Sequence, residues 1–123
     1  MKSEQVLSID QMNHLQELGL DTSDASMCWE WKATYEDDMV VNSLDADTNY
    51  DCYYPTYTLQ DILNKLPISI GNNTLSLQRY GDKWVCLYIE PYTRYSLHME
   101  IEENCIDVVY DMLCWCNFVN KCH

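Results

Sequence analysis

An α+β fold, with an antiparallel sheet covered by a C-terminal helix, is predicted for this chain of 123 residues on three observations. The first is strict alternation from Met27 to Tyr35, where Met27, Trp29, Trp31, Ala33 and Tyr35 point one way and Cys28, Glu30, Lys32 and Thr34 the other. The second is three consecutive strand-like runs, TLSLQRY, KWVCLYIE and RYSLHMEI, over residues 74–101. The third is the amphipathic run NCIDVVYDMLCWCNFV, in which Ile106, Val109, Tyr110, Leu113 and Cys116 recur at spacings of three and four residues and so share one helical face. Burying those five side chains returns ~1.5 to 3 kcal/mol each, whereas ordering about fifteen backbone units costs ~1 to 2 kcal/mol apiece. Such a helix does not hold itself together in water, and it is expected to roof the apolar side of the sheet.

The remaining elements follow in chain order. A helix from about Ile9 to Leu18 is announced by Ser8 at its N-cap and Gln11 three residues on, a capping box, and Gly19 follows as the left-handed C-cap with Leu20 folding back. The alternating strand then turns at Glu36, Asp37 and Asp38, and Met39 to Leu44 returns as its hairpin partner. Asn49 to Tyr54 reads as an edge strand or ordered loop, ended by Pro55. Thr58 caps a short helix with Asp61 completing a second box, and Pro67 stops it. Gly71, Asn72 and Asn73 turn the chain into the three-stranded meander. The order is αββ(β)αβββα, a hairpin plus a three-stranded meander packed against the C-terminal helix and two shorter helices. Residues 1–123 read as a single domain with no linker or internal repeat.

With Pro91, Tyr92 and Thr93 as the last loop, Glu90 pairs with Arg94 and the register sets Val85, Leu87 and Ile89 opposite Met99, Leu97 and Tyr95, a wholly apolar face. The other face sets Trp84, Cys86 and Tyr88 opposite Glu100, His98 and Ser96. In the first hairpin of the meander, a two-residue loop places Leu75 and Leu77 on this mixed face and a three-residue loop places them on the apolar one.

Twenty Asp and Glu against seven Lys and Arg give a net charge of −13, while a hydrophobic fraction of 47% is too high for a disordered chain. The charge is uneven: residues 1–64 hold thirteen acids and two bases, residues 65–123 seven and five. This balance repels phosphate backbones and anionic membrane surfaces, so direct nucleic-acid and membrane binding are disfavoured and basic or amphipathic protein surfaces are the expected partners. The N-terminus shows no apolar signal region and no run approaches a membrane span, so a cytoplasmic location is expected, with the seven cysteines reduced.

Phosphate loops, dinucleotide fingerprints, paired-His zinc motifs and nucleophile elbows are all missing from the sequence, and no cofactor or catalytic residue is assigned. Cys86 across from His98, with Glu100 along the same face, has the composition of a cysteine nucleophile with its base, although a mid-strand cysteine is more often a small core residue. Together with Trp84 and Tyr88 these residues define an alternative pocket. Cys114, Cys116, Cys122 and His123 are zinc-ligand types, but Cys114 and Cys116 diverge by about 200° around a helix, so no metal site is assigned. The acidic, tyrosine-rich stretch containing Asp45, Asp47, Tyr50, Asp51, Tyr53, Tyr54 and Tyr57 is the candidate binding surface, since exposed tyrosines supply contact area at low entropic cost.

The segments MCWEW, YPTYTLQDILNKLP, YGDKWVCLYIE and DVVYDMLCWC resemble small uncharacterised bacterial proteins of prophages and other mobile elements. That resemblance implies a compact α+β accessory protein with no assigned activity. The expected function is a non-catalytic, acidic protein-interaction module. The alternatives are a small-ligand pocket or cysteine enzyme on the Trp84, Cys86 and His98 face, a DNA mimic that sets carboxylates in place of phosphates, and a homodimer that buries Trp29, Trp31 or Trp115 between subunits.

Overall fold

The structure, a computed structural model, describes residues 5–31, 39–43 and 54–121, with side chains over 5–29 and 54–118. The fold is α+β, with three helices and two antiparallel sheets among the described residues. The chain forms two compact units, Met1–Asp61 and Ile62–His123.

In the first unit α1 spans Ile9–Glu17 and begins with the expected capping box: the Gln11 amide donates to Ser8 Oγ at 3.1 Å and the Ser8 amide to Gln11 Oε1 at 2.9 Å. It ends as a Schellman motif, with Gly19 at φ 93°, the Gly19 amide bonded to the Gln16 carbonyl and the Leu20 amide to that of Leu15. Replacing Ser8 by Ala leaves the Gln11 amide without its acceptor. The expected cost is about 1 kcal/mol, read as a lower melting temperature in a thermal scan; an unchanged melt would show that water replaces the cap.

Strand β1 (Met27–Trp31) lies between β2 (Met39–Ser43) and β3 (Tyr54–Thr56), both antiparallel to it. The hairpin partner is therefore where alternation placed it. The third strand differs from expectation: it contains Pro55 instead of ending before it, and of the span Asn49–Tyr54 only Tyr54 is among the described residues. Pro55 is tolerated because β3 is an edge among the described residues, so a missing N–H costs no ladder bond on the outer side. The core of this unit closes on one carbonyl. Leu7 O accepts from Trp29 Nε1 at 2.9 Å and from Thr56 Oγ1 at 2.6 Å, while the Leu7 amide donates to Tyr57 O at 3.0 Å. Trp29 is thus spent inside the fold and is not left for a subunit interface.

Helix α2 (Leu59–Lys65) starts at the predicted second box, with the Asp61 amide on Thr58 Oγ1 at 3.1 Å and the Thr58 amide on Asp61 Oδ2 at 3.0 Å. In the second unit a four-stranded sheet runs β4 (Ser69–Ile70), β5 (Asn73–Tyr80), β6 (Lys83–Ile89), β7 (Ser96–Glu102) in spatial order, followed by α3 (Cys105–Lys121). The two-residue β4 is an addition to the expected meander, too short to show a period; it pairs with β5 across Gly71 and Asn72, Gly71 holding φ 62°.

The β5–β6 loop is two residues, Gly81 and Asp82, because Tyr80 pairs with Lys83. Gly81 carries φ 59°, as the first loop residue of a type II′ turn requires. Leu75 and Leu77 consequently oppose Tyr88 and Cys86 on the mixed face, while Ser76 and Gln78 oppose Leu87 and Val85. The β6–β7 register corrects the expected one by two residues: Cys86 opposes Glu100, Leu87 opposes Met99 and Tyr88 opposes His98, with a bulge between Tyr88 and Ile89. Glu90 does not pair with Arg94 as the end of a ladder; Arg94 adopts φ 65° and its amide closes a turn on the Glu90 carbonyl. A shift of two residues preserves the faces.

Helix α3 packs on β6 and β7, but over the opposite face from the one expected. It covers Cys86, Tyr88 and His98, whereas Leu97, Met99 and Ile101 stay exposed. The two-residue loop explains the choice. It adds two leucines to the mixed face and puts Ser76 and Gln78 beside Val85 and Leu87, so the face called mixed is the more apolar over its central strands. Helix burial is also wider than the five-residue stripe, since Val108 and Met112 are fully buried with Ile106, Val109, Leu113 and Cys116, and Tyr110 is only half-buried.

Candidate functional site

The densest gathering of chemically able side chains lies between α3 and the β6–β7 pair. Alternation on two adjacent strands brings Trp84, Cys86 and Tyr88 together with His98, Glu100 and Glu102, and α3 adds Asp111, Trp115 and Cys116. The His98 ring stacks flat on Trp115, with centroids 4.2 Å apart and an interplanar angle of 0°. Its Nε2 lies 2.9 Å from Glu100 Oε1. Tyr88 is 6.3 Å from the same indole, donates its hydroxyl hydrogen to Pro67 O at 2.8 Å and accepts from Cys116 Sγ at 3.8 Å. Trp84 is half-buried at the end of the row beneath the Arg79 guanidinium, 5.5 Å from its ring centre.

The electrostatics disfavour ionisation here. Burial first, and then Cys116, Cys105 and Glu100, push the Cys86 thiol up to about 12. What bears on that thiol is anionic or neutral, with no imidazole among the causes, and the ring expected to activate Cys86 is held between Glu100 and Trp115. Burial also raises Cys105, Cys114, Cys116, Tyr88 and Tyr110. Asp111 is pushed up to about 7, first by burial and then by its hydrogen bond to Glu102 and the charges of Glu102, Glu100 and Asp107. A carboxyl set among like charges in a poorly solvated place holds its proton more tightly.

Of the residues singled out in the sequence, Trp84, Cys86, Tyr88, His98 and Glu100 do meet on one face, the one α3 packs against, with Cys86 and Tyr88 buried and Trp84, His98 and Glu100 half-buried. Asp111, Glu102 and Trp115 were missed. The i, i+4 spacing of Asp111 and Trp115 was the available signal, and it is uninformative until the side of the sheet that α3 covers is known.

In the tyrosine-rich segment Asp45, Asp47, Tyr50, Asp51 and Tyr53 lie outside the described residues. Tyr54 is exposed. Tyr57 is instead fully buried: its hydroxyl donates to Asp24 Oδ1 at 2.8 Å and to the Asp21 carbonyl at 3.0 Å, and burial with these acids raises its pKa. It is a core residue, which corrects its place in the candidate surface. Cys122 and His123 also lie outside the described residues. Among the described residues no three of His, Cys, Asp and Glu are grouped to hold a metal ion, and no helix is long and apolar enough to cross a membrane.

Comparison with protein-family models, with curated proteins and with solved structures returned no match.

Proposed function

We propose that the chain is a non-catalytic protein-interaction module whose acidic first unit docks on a basic or amphipathic protein surface, in the accessory role implied by its resemblance to small prophage and mobile-element proteins. One-sided charge carries this reading. Asp10, Glu17, Asp21 and Asp24 are all exposed, and no lysine or arginine lies among the described residues of that unit. Asp10 and Glu17 are seven residues apart and so share a side of α1, and the exposed Tyr54 adds an aromatic ring to the same unit. An excess of carboxylates raises the potential of a surface and steers cationic partners toward it. The covered sheet face supports the non-catalytic half of the reading, since its cysteine is both buried and held protonated.

The test is binding of a lysine-rich amphipathic peptide and of an acidic peptide of equal length, followed calorimetrically. Affinity for the basic peptide is expected to fall about tenfold between about 50 and about 300 mM salt, and the Asp10→Asn, Glu17→Gln double variant should weaken it further at low salt. Equal affinity for both peptides, or binding indifferent to salt and to the double substitution, would overturn the proposal.

A further inference from the structure

Strand β7 ends its sheet: β6 lies on one side, and among the described residues no strand lies on the other. Its outward row, Leu97, Met99 and Ile101, is 48%, 44% and 54% exposed. On the same sheet face Val85 and Leu87, which have a strand on both sides, are 6% and 5% exposed. Edge strands are ordinarily guarded by lysine, proline or charges placed to repel a second strand. Ser96–Glu102 contains neither lysine nor proline, and its acids are engaged on the α3 side, Glu100 with His98 and Glu102 with Asp111. The bulge falls at the Leu97 end, so His98 to Glu102 remains regular.

We infer that the open edge of β7 pairs antiparallel with β7 of a second copy of this chain, about a two-fold axis at Met99, to give one continuous eight-stranded sheet. The charges select both partner and direction. Parallel, in-register pairing would set Glu100 against Glu100 and Glu102 against Glu102, and like charges directly opposite are destabilising. Within the regular stretch, antiparallel pairing about Met99 sets Glu100 opposite the second copy's His98. The contact is isologous, Glu100 of each copy meeting the His98 of the other beside the His98–Glu100 pair that each chain already makes. The strand also belongs to the half of the chain that is nearly balanced, seven acids against five bases over residues 65–123, so two copies can approach there at little electrostatic cost. The repulsion that remains between two chains of charge −13 is screened by salt, and dimerisation strengthens as salt rises, opposite to the docking proposed for the first unit.

Sedimentation velocity from about 1 to about 200 μM, a range that spans micromolar affinity, tests the pairing together with two variants. The parent chain is expected to pass from monomer to dimer across this range. Met99→Lys is expected to weaken the dimer about tenfold or more while leaving the circular dichroism spectrum intact, the site being half open. Met99→Cys is expected to give, on mild oxidation, a disulfide joining the two introduced thiols across the axis, located by peptide mass mapping. A parent chain that stays monomeric throughout, or a dimer indifferent to Met99→Lys, overturns the inference. If Met99→Lys loses its fold, the cross-link decides, and its absence at dimeric concentrations overturns the inference as well.

Discussion

Iodoacetamide at pH 7 is expected to leave Cys86 of the folded protein essentially unmodified while denatured chain is labelled at every cysteine. With the thiol held near 12 the thiolate fraction at pH 7 is about 10⁻⁵, against a few per cent for a free thiol. Labelling should therefore be roughly a thousandfold slower than for an unstructured cysteine even before access is considered. Cys116 is buried and raised in the same direction; Cys105 and Cys114 are half-buried and should react sooner. The measurement is mass mapping of a labelling time course with and without urea. It bears directly on the cysteine-enzyme alternative, because a nucleophile has to be a thiolate at working pH. Cys86 labelled as fast as a free thiol would restore that alternative and remove the account of the covered face.

The second large effect is a pH dependence of stability that resides in Asp111. Its folded pKa, about 7, lies above the unfolded value near 4. Between those values the folded chain holds more protons than the unfolded one, so this group favours folding at low pH and the contribution is lost as pH rises through 7. The site is only partly buried, so solvent screening reduces the effect to about 1 to 2 kcal/mol. Asp111→Asn keeps a donor for Glu102 and removes the ionisation. At pH 8 the variant is expected to melt about 3 to 6 °C above the parent, and at pH 5 the gap should shrink to less than half of that, because the unfolded carboxyl is still ionised there. Thermal scans at both pH values check this. A variant less stable than the parent at pH 8 would mean that the Asp111 carboxylate is welcome there.

Much of this fold was legible because local chemistry and tertiary structure agree. Ser8 with Gln11, Gly19 with Leu20, and Thr58 with Asp61 each determine an end of a helix through bonds made within a few residues, so sequence spacing suffices. The alternation of β1 and the runs of β5 to β7 were equally readable. The side of the meander that α3 covers was not. It turned on whether Gly81 and Asp82 form a loop of two residues or three, a choice of one residue that moves Leu75 and Leu77 across the sheet. The two-residue error in the last hairpin arose because Arg94 closes a turn at positive φ and Leu97 is bulged, and neither residue type announces such a conformation. Of the candidate site, membership of the face survived both errors. Its closure did not show, because a sequence displays which groups line a surface and not what is laid over it. Tyr57 was misplaced for a related reason: a tyrosine among acids reads as surface until the acids prove to be acceptors for its hydroxyl.

The Leu7 carbonyl, on which Trp29 and Thr56 both converge, also orders events during synthesis. These two bonds, and the one from the Leu7 amide to the Tyr57 carbonyl, join residues 22, 49 and 50 positions apart, and the last of them, Tyr57, is made some fifty residues after Leu7. At roughly 5 to 20 residues per second, translation leaves the early segment waiting roughly three to ten seconds for its final neighbour. During that interval Val6 and Leu7, both destined for the interior, are sticky bait for chaperones, so a segment made early is sealed only by one made well after it.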